Sequence, residues 1–214
     1  EFNYSAINNF AVREARGEYL LFLNNDVEII TESWLEEMLQ LCQQKDVGMA
    51  GAKLYYPDDT IQHAGVVVGL GGVAAHVLCK LPRDAEGYMG RLRCVQEISA
   101  VTAACMMVKT SVFKAVGGFD EELKVAFNDI DLCMKVRKYG VKIVFTPYAE
   151  LYHYESKSRG MEDTPEKQLR FSREVNCFRR KWERELLKGD PYYNPNLTLN
   201  NTDCSLRKQE KNGD

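Results

Sequence analysis

The stretch Tyr19-Leu20-Leu21-Phe22-Leu23-Asn24-Asn25-Asp26-Val27-Glu28-Ile29-Ile30 decides the fold. Its apolar residues run unbroken into a turn that carries two amides and a carboxylate. A continuous apolar run closed by a turn reads as a strand buried on both faces, as in a parallel α/β sheet. Ligands of such sheets sit just beyond the carboxyl ends of the strands. Asp26 stands at that place, where a hard carboxylate oxygen can hold a divalent cation and the cation a diphosphate. The same residues also fit a turn capped by Asx side chains.

On either side of this stretch, helical and extended patterns alternate. Phe2 to Arg16 is expected as a helix capped by Ser5, with Ile7, Phe10, Ala11 and Ala15 on one face and Gly17 at its end. Thr31 is expected to cap a second helix that buries Trp34, Leu35, Met38, Leu39 and Cys42. Val47–Gly51 and Ala103–Val108 read as buried strands, the first of them central. Asp129–Tyr139 reads as a helix stopped by Gly140, and Lys142–Phe145 as a strand closed by Pro147. A long amphipathic helix opens on Thr164 and Pro165, repeats Phe171, Val175, Phe178 and Trp182, and ends at Gly189. Asn194 to Asp214 is polar and expected to be loose. The alternation predicts an α/β domain, with some antiparallel strands in the glycine-rich middle.

Composition excludes several classes. A chain of 214 residues with 45% hydrophobic content suits one domain or slightly more. A net charge of −3 carries no basic field for nucleic acid. Seven scattered cysteines without a C-x-x-C pair fit buried thiols in a reducing cytoplasm better than disulfides or zinc. The near-apolar stretch from Val66 to Cys79 is too short to span a bilayer, and it contains three glycines and His76.

Several residues could carry chemistry. Asp129, in Phe127-Asn128-Asp129-Ile130-Asp131, opens a helix whose dipole favours the ionised carboxylate, so it could accept a proton from a hydroxyl. An N-cap or first-turn Asp is very common and, for this residue alone, is the favoured reading. His153 follows a short segment and could complete a site begun by Asp26, or be a hydrogen-bonded structural histidine. His63 and His76 lack an acidic neighbour in sequence. Gly117-Gly118 allows a tight turn or a close ligand approach. Ser156-Lys157-Ser158-Arg159-Gly160 offers hydroxyls and cations suited to phosphate oxygens, or is a solvated loop. Between Pro165 and Lys188, eight basic residues face four acids, as in a helix on an anionic membrane, although docking by its aromatic side is favoured.

Together and in order, these segments resemble the catalytic domain of family 2 glycosyltransferases, the inverting GT-A type, and in particular bacterial O-antigen or rhamnan polysaccharide enzymes. The resemblance rests on Gly17–Glu28, Ala103–Val108, Gly117–Glu121, Phe127–Cys133 and Glu150–Ser156. It implies a Rossmann-like mixed sheet flanked by helices and transfer of a sugar from a nucleotide-diphosphate donor to a glycan or lipid-linked acceptor. It places Asn24-Asn25-Asp26 at the family's D-x-D motif, with Asp26 on Mn²⁺ or Mg²⁺ and Asn24 and Asn25 beside the donor. It makes Asp129 the catalytic base, His153 a further metal ligand, Ser158 and Arg159 donor contacts, and Gly118, Phe119, Asp120 and Glu121 the acceptor pocket.

Three segments follow from this reading: a catalytic domain over 1–163, a packed helix over 164–190 and a polar tail over 191–214. No glycine-rich strand–turn–helix precedes Asn24, so the chain is expected to lack the first βα units of its domain. The expected location is the cytoplasm, at the inner face of the membrane if the basic helix touches lipid. The competing expectation is a non-catalytic fragment that binds glycan or a partner. A phosphate-ester hydrolase would want more ligands than Asp26 and His153.

Overall fold

A computed structural model describes residues 2–155 and 164–208. The first half of the chain holds α1 (Tyr4–Glu14), β1 (Tyr19–Leu23), β2 (Val27–Ile29), α2 (Trp34–Cys42), β3 (Val47–Tyr55), β4 (Ile61–His63), β5 (Val66–Val68) and β6 (Ala74–His76). The second half holds β7 (Gln96–Glu97), β8 (Cys105–Lys109), α3 (Thr110–Ala115), α4 (Asn128–Tyr139), β9 (Lys142–His153) and α5 (Pro165–Lys188).

The main sheet runs β1-β8-β3-β9-β2, with β4 on β3 and β7 on β9, while β5 and β6 form a separate hairpin. The β3–β9 pair is parallel and its neighbours are antiparallel, which makes the sheet mixed as expected. All nine residues of β3 are buried, in keeping with its central place. Its side chains alternate between two cores, because strand side chains point to opposite faces in turn. Met49 and Tyr55 join the core that contains Phe145, Phe178 and Trp182, whereas Ala50, Ala52 and Leu54 join the one under Trp34 and Met38. Gly51 lies so close to Val101 that a Cβ there would sit 2.3 Å from a valine methyl.

Helix α5 starts as expected: the Thr164 side chain accepts from the Lys167 N–H and Pro165 occupies the first turn. It docks by Phe178 and Trp182, both in the core, and by a buried carboxylate, Glu174. The Trp182 indole donates to Asp131 of α4 at 2.8 Å, and Lys181 pairs with the same buried oxygen at 2.7 Å. Its exposed residues include Arg173, Arg179, Arg180 and Arg184.

Five details depart from the sequence reading. Strand β1 is an edge strand, antiparallel to β8; Leu20 and Phe22 are buried but Leu21 and Leu23 are exposed. An unbroken apolar run carries no information on whether the second face is covered. In α1, Asn3 is the cap, Ser5 is buried and bonded to the Leu123 carbonyl, and Ile7 and Phe10 are exposed. Helix α2 follows Ser33, because Thr31 instead accepts from the Glu150 N–H through its hydroxyl, and Leu35 is exposed. Strand β9 runs on through Pro147: between the pairs Gly51–Phe145 and Lys53–Glu150 its extra residues bulge out, where proline's missing N–H breaks no ladder bond. Finally, residues 194–208 pack against the body, with Leu197 and Cys204 buried and Leu197 bridged to Leu206.

Candidate active site

The turn Asn24–Asp26 joins antiparallel β1 to β2 and is pinned from both sides. The Asn24 N–H donates to the Ala104 carbonyl at 3.0 Å, and the Asp26 carbonyl accepts from the Tyr154 N–H at 2.8 Å. Strand β2 pairs with the end of β9, so Val27 stands opposite His153. That register brings the two expected ligands together: His153 Nε2 lies 3.2 Å from Asp26 Oδ1.

The tautomer of His153 follows from its neighbour on β4. Gln62 donates through its amide nitrogen to the His153 carbonyl, so its oxygen is the atom 2.7 Å from His153 Nδ1. Nδ1 therefore carries the proton and Nε2 offers a lone pair. Asn24 Nδ2 lies 3.1 Å from that nitrogen, within donating distance. Asp26 Oδ1 is buried and accepts no hydrogen bond. His153 Nε2 and the Asp26 oxygen, both electron-rich, lie 3.2 Å apart, an arrangement that a proton or a metal ion between them would stabilise. Adjacent ligands of an octahedral ion with bonds of about 2.1 Å are about 3 Å apart, so imidazole and carboxylate fit a hard-to-borderline cation. Among the described residues no group of three or more His, Cys, Asp or Glu side chains could hold a metal. A cation here would need oxygens from a ligand or water.

Asp129 lines the same cleft, of about 610 Å³, as Asn24, Asn25, Asp26 and His153. It lies in the first turn of α4, with Oδ1 accepting from the Ile130 N–H at 2.8 Å and Oδ2 from the Ala103 N–H at 3.1 Å. The run into it is strained: Phe127 has φ 62°, a left-handed position costly for a bulky residue. Two bonds hold that run, from the Val125 and Ala126 N–H groups to the Glu174 carboxylate, at 2.9 and 3.1 Å.

Other predicted residues lie elsewhere. Gly118, Phe119, Asp120 and Glu121 do not line this cleft. Gly118, at φ 66°, packs against Asn9 and Phe113, and Phe119 is buried against Tyr4, Phe22 and Phe113. Asp120 pairs with Lys181, and Glu121 accepts from Asn9. This short stretch fastens α1 and α5 to the body because its glycines let the chain turn back there. Ser158 and Arg159 lie outside the described residues.

Sequence reasoning missed Gln62, which no motif marks, and undervalued His63 and His76. Those rings meet at 3.0 Å between their Nδ1 atoms, and His63 Nε2 lies 3.4 Å from the Thr102 N–H, beside the Ala103 N–H that holds Asp129. Burial holds both imidazoles below their ordinary pKa, His63 by far the more clearly. Their partners come from distant segments, so sequence adjacency to an acid is the wrong signal.

The comparisons with known proteins follow this geometry. A glycosyltransferase-like family model matches residues 2–174. The uncharacterised protein y4gI of Sinorhizobium fredii is 57% identical over 206 residues, which is 96% of this chain and 23% of that protein. The O-antigen biosynthesis protein RfbC of Myxococcus xanthus is 42% identical over 214 residues, the whole of this chain and 16% of that protein. The chain thus spans less than a quarter of these two relatives. An N-acetylglucosaminyl-diphospho-decaprenol L-rhamnosyltransferase of Mycobacterium tuberculosis is 36% identical over 62 residues, 29% of this chain and 20% of that enzyme. Among solved structures, GalNAc-T7 with UDP, GalNAc and Mn²⁺ superposes with a TM-score of 0.60 at 12% identity, over 86% of this chain and 36% of that one. The mannosyltransferase PcManGT of Pyrobaculum calidifontis, with GDP-Man and Mn²⁺, gives 0.54 at 15% identity, over 84% and 43%. Family match and fold agree: the chain belongs to the glycosyltransferase-like family, as a family 2 glycosyltransferase domain on the GT-A fold.

Proposed function

We propose that the cleft bounded by Asn24–Asp26, Asp129 and His153 transfers a sugar, with inversion, from a nucleotide-diphosphate sugar to a glycan or lipid-linked acceptor in cell-surface polysaccharide synthesis. The observation that carries this reading is the convergence of Asn24, Asp26, Asp129 and His153 on one cleft, with a buried Asp26 oxygen 3.2 Å from His153 Nε2. Asp26 and His153 would hold Mn²⁺ or Mg²⁺, which when bound neutralises charge on the departing diphosphate. The amides of Asn24 and Asn25 line the same cleft and suit contacts to the donor. Ser158 and Arg159 remain proposed donor contacts from sequence.

Asp129 acts as the base. The proton of the acceptor hydroxyl passes to its carboxylate as the hydroxyl oxygen attacks the anomeric carbon. The Ala103 and Ile130 N–H groups fix both carboxylate oxygens, which keeps the base in one orientation. One base suffices because a direct displacement forms no covalent sugar–enzyme intermediate.

The place of action fits the cytoplasm at the inner face of a membrane, where lipid-linked acceptors reside. No helix among the described residues is long and apolar enough to cross a bilayer. The exposed arginines of α5 suit anionic lipid.

The test uses the full-length protein. Nucleoside diphosphate at 100 times its dissociation constant should stabilise the fold by about 2.7 kcal/mol with Mn²⁺ present. Asp26→Ala and His153→Ala should abolish that shift, whereas Asp129→Asn should keep it and lose transfer by at least about a hundredfold. A shift that ignores Mn²⁺, or normal transfer by Asp129→Asn, overturns the assignment.

A further inference from the structure

A second cavity, of about 1000 Å³, shares no lining residue with the Asp129 cleft. Its floor is polar and buried where the fold alone calls for apolar packing. Lys53 is the single charged residue of the central strand β3 and is 4% exposed. Its ammonium donates to the Leu92 carbonyl at 3.1 Å. Tyr55, two residues on and fully buried, donates its hydroxyl to one oxygen of Glu150. The other Glu150 oxygen faces Arg83 at 3.3 Å, and the Arg83 guanidinium lies over the Tyr55 ring at 4.9 Å. Burying such groups costs free energy that only their mutual bonds offset, so apolar residues would hold the sheet together at lower cost. A pocket whose walls mix apolar surface with fixed polar groups is instead the usual form of a ligand site.

The lining narrows the ligand class. Five carboxylates and three cations surround the cavity, so its field does not favour phosphate, nucleotide or an acidic sugar. No group of three or more metal-ligating side chains occurs among the described residues. What remains is a neutral molecule that donates and accepts hydrogen bonds at many points. Sugar hydroxyls do both, and the half-exposed ring of Tyr148, with Pro82 and Pro147, offers faces for their C–H surfaces.

The cavity and the first cleft both border strand β9. Glu150 in its floor and His153 in the cleft are three residues apart on β9, about 10 Å along a strand. Between them, the Tyr152 hydroxyl meets Arg83 at 3.3 Å. A chain of sugars long enough to pass the edge of β9 could reach both.

We propose that the cavity floored by Lys53, Tyr55, Arg83 and Glu150 binds a neutral saccharide, and that it grips the acceptor chain at sugar units remote from the reacting hydroxyl. The second half of this statement rests on the transferase reading; the first does not.

The experiment is titration calorimetry of the full-length protein without metal, against neutral tetrasaccharides of mannose, rhamnose, galactose and N-acetylglucosamine, with a tetragalacturonate as the acidic control. Tyr148→Ala alters the open wall, and Arg83→Ala removes the partly exposed cation over Tyr55, which frees one Glu150 oxygen but leaves its bond from Tyr55. At least one neutral tetrasaccharide should bind. Each variant should weaken that binding tenfold or more, Asp129→Asn should leave it unchanged, and nucleoside diphosphate with Mn²⁺ should not displace it. No binding by any neutral probe overturns the proposal. So does equal binding by both wall variants, tighter binding of the acidic control, or displacement by the nucleotide. The Mn²⁺-dependent nucleotide shift is measured separately, so saccharide binding without it leaves this site standing while the transferase reading falls. Where transfer is active, both wall variants should raise the KM of a long acceptor at least tenfold and leave that of a monosaccharide acceptor unchanged. Equal effects on the two acceptors overturn the acceptor role.

Discussion

Replacing Glu174 with alanine should release the segment that leads into Asp129. Glu174 is 3% exposed and sits on α5, far along the chain from Val125 and Ala126, whose N–H groups its carboxylate accepts. Hydrogen bonds to a charged partner contribute about 1.5–3 kcal/mol each. Losing both costs about 3–6 kcal/mol if the two N–H groups stay buried, and less if water reaches them. Arg170, at 3.5 Å from the same carboxylate and about a quarter exposed, loses that ion pair as well, which adds to the cost. Glu174→Gln keeps an acceptor oxygen for one N–H and should lose about half as much. A loss of 3 kcal/mol lowers the melting temperature of a protein this size by roughly 6–12 °C. Because left-handed Phe127 follows directly, the released segment should relax and Asp129 should leave its place above the cleft. The assays are urea unfolding and, in the full-length protein, transfer measured well below the melting point. If Glu174→Ala loses less than about 1 kcal/mol, or equals Glu174→Gln, the bonds do not hold the segment.

Two further outcomes follow from packing and titration. Gly51→Ala should destabilise the fold by about 1–3 kcal/mol in urea, because its methyl meets Val101 in a filled core; a neutral result would mean that β3 and the Val101 segment shift freely. His63 and His76 are held below the ordinary histidine pKa by burial, with Asp129 and Glu155 only partly offsetting this at His76. The unfolded chain then takes up protons first as pH falls, so stability is full above about pH 6.5 and drops below it, by at most about 1.4 kcal/mol per pH unit for each histidine. Unfolding at pH 5.5 and 7.0 should show this drop, and His63→Gln should reduce it; an unchanged slope would place the protonating group elsewhere.

Helices were legible in the sequence because their signals are local. Thr164 and Pro165 opened α5 and Gly140 closed α4 as expected. The core face of α5 was legible in part: Phe178 and Trp182 are buried while Phe171 is exposed. Pairing was less legible. Nothing within Tyr19–Leu23 tells that its partner is antiparallel or that Leu21 faces outward. Pro147 stops a strand only when its partner keeps register, and here a bulge absorbs it. Asp26, Asp129 and His153, singled out by the ordered set of motifs, line one cleft. Gln62, which sets the tautomer of His153, was not legible, since its role depends on a strand contact across 91 residues. The polar floor of the second cavity was silent for the same reason.

The two rims of the sheet differ in a way that bears on handling the chain. At one rim, β2 is three residues long and carries Glu28, a short and charged border that discourages further strands. At the other, β1 offers five apolar residues with their outward backbone groups on the open side. Such a border is a template for any extended segment that reaches it, including β1 of another copy. Self-association of this chain on its own should therefore grow with concentration and begin at β1.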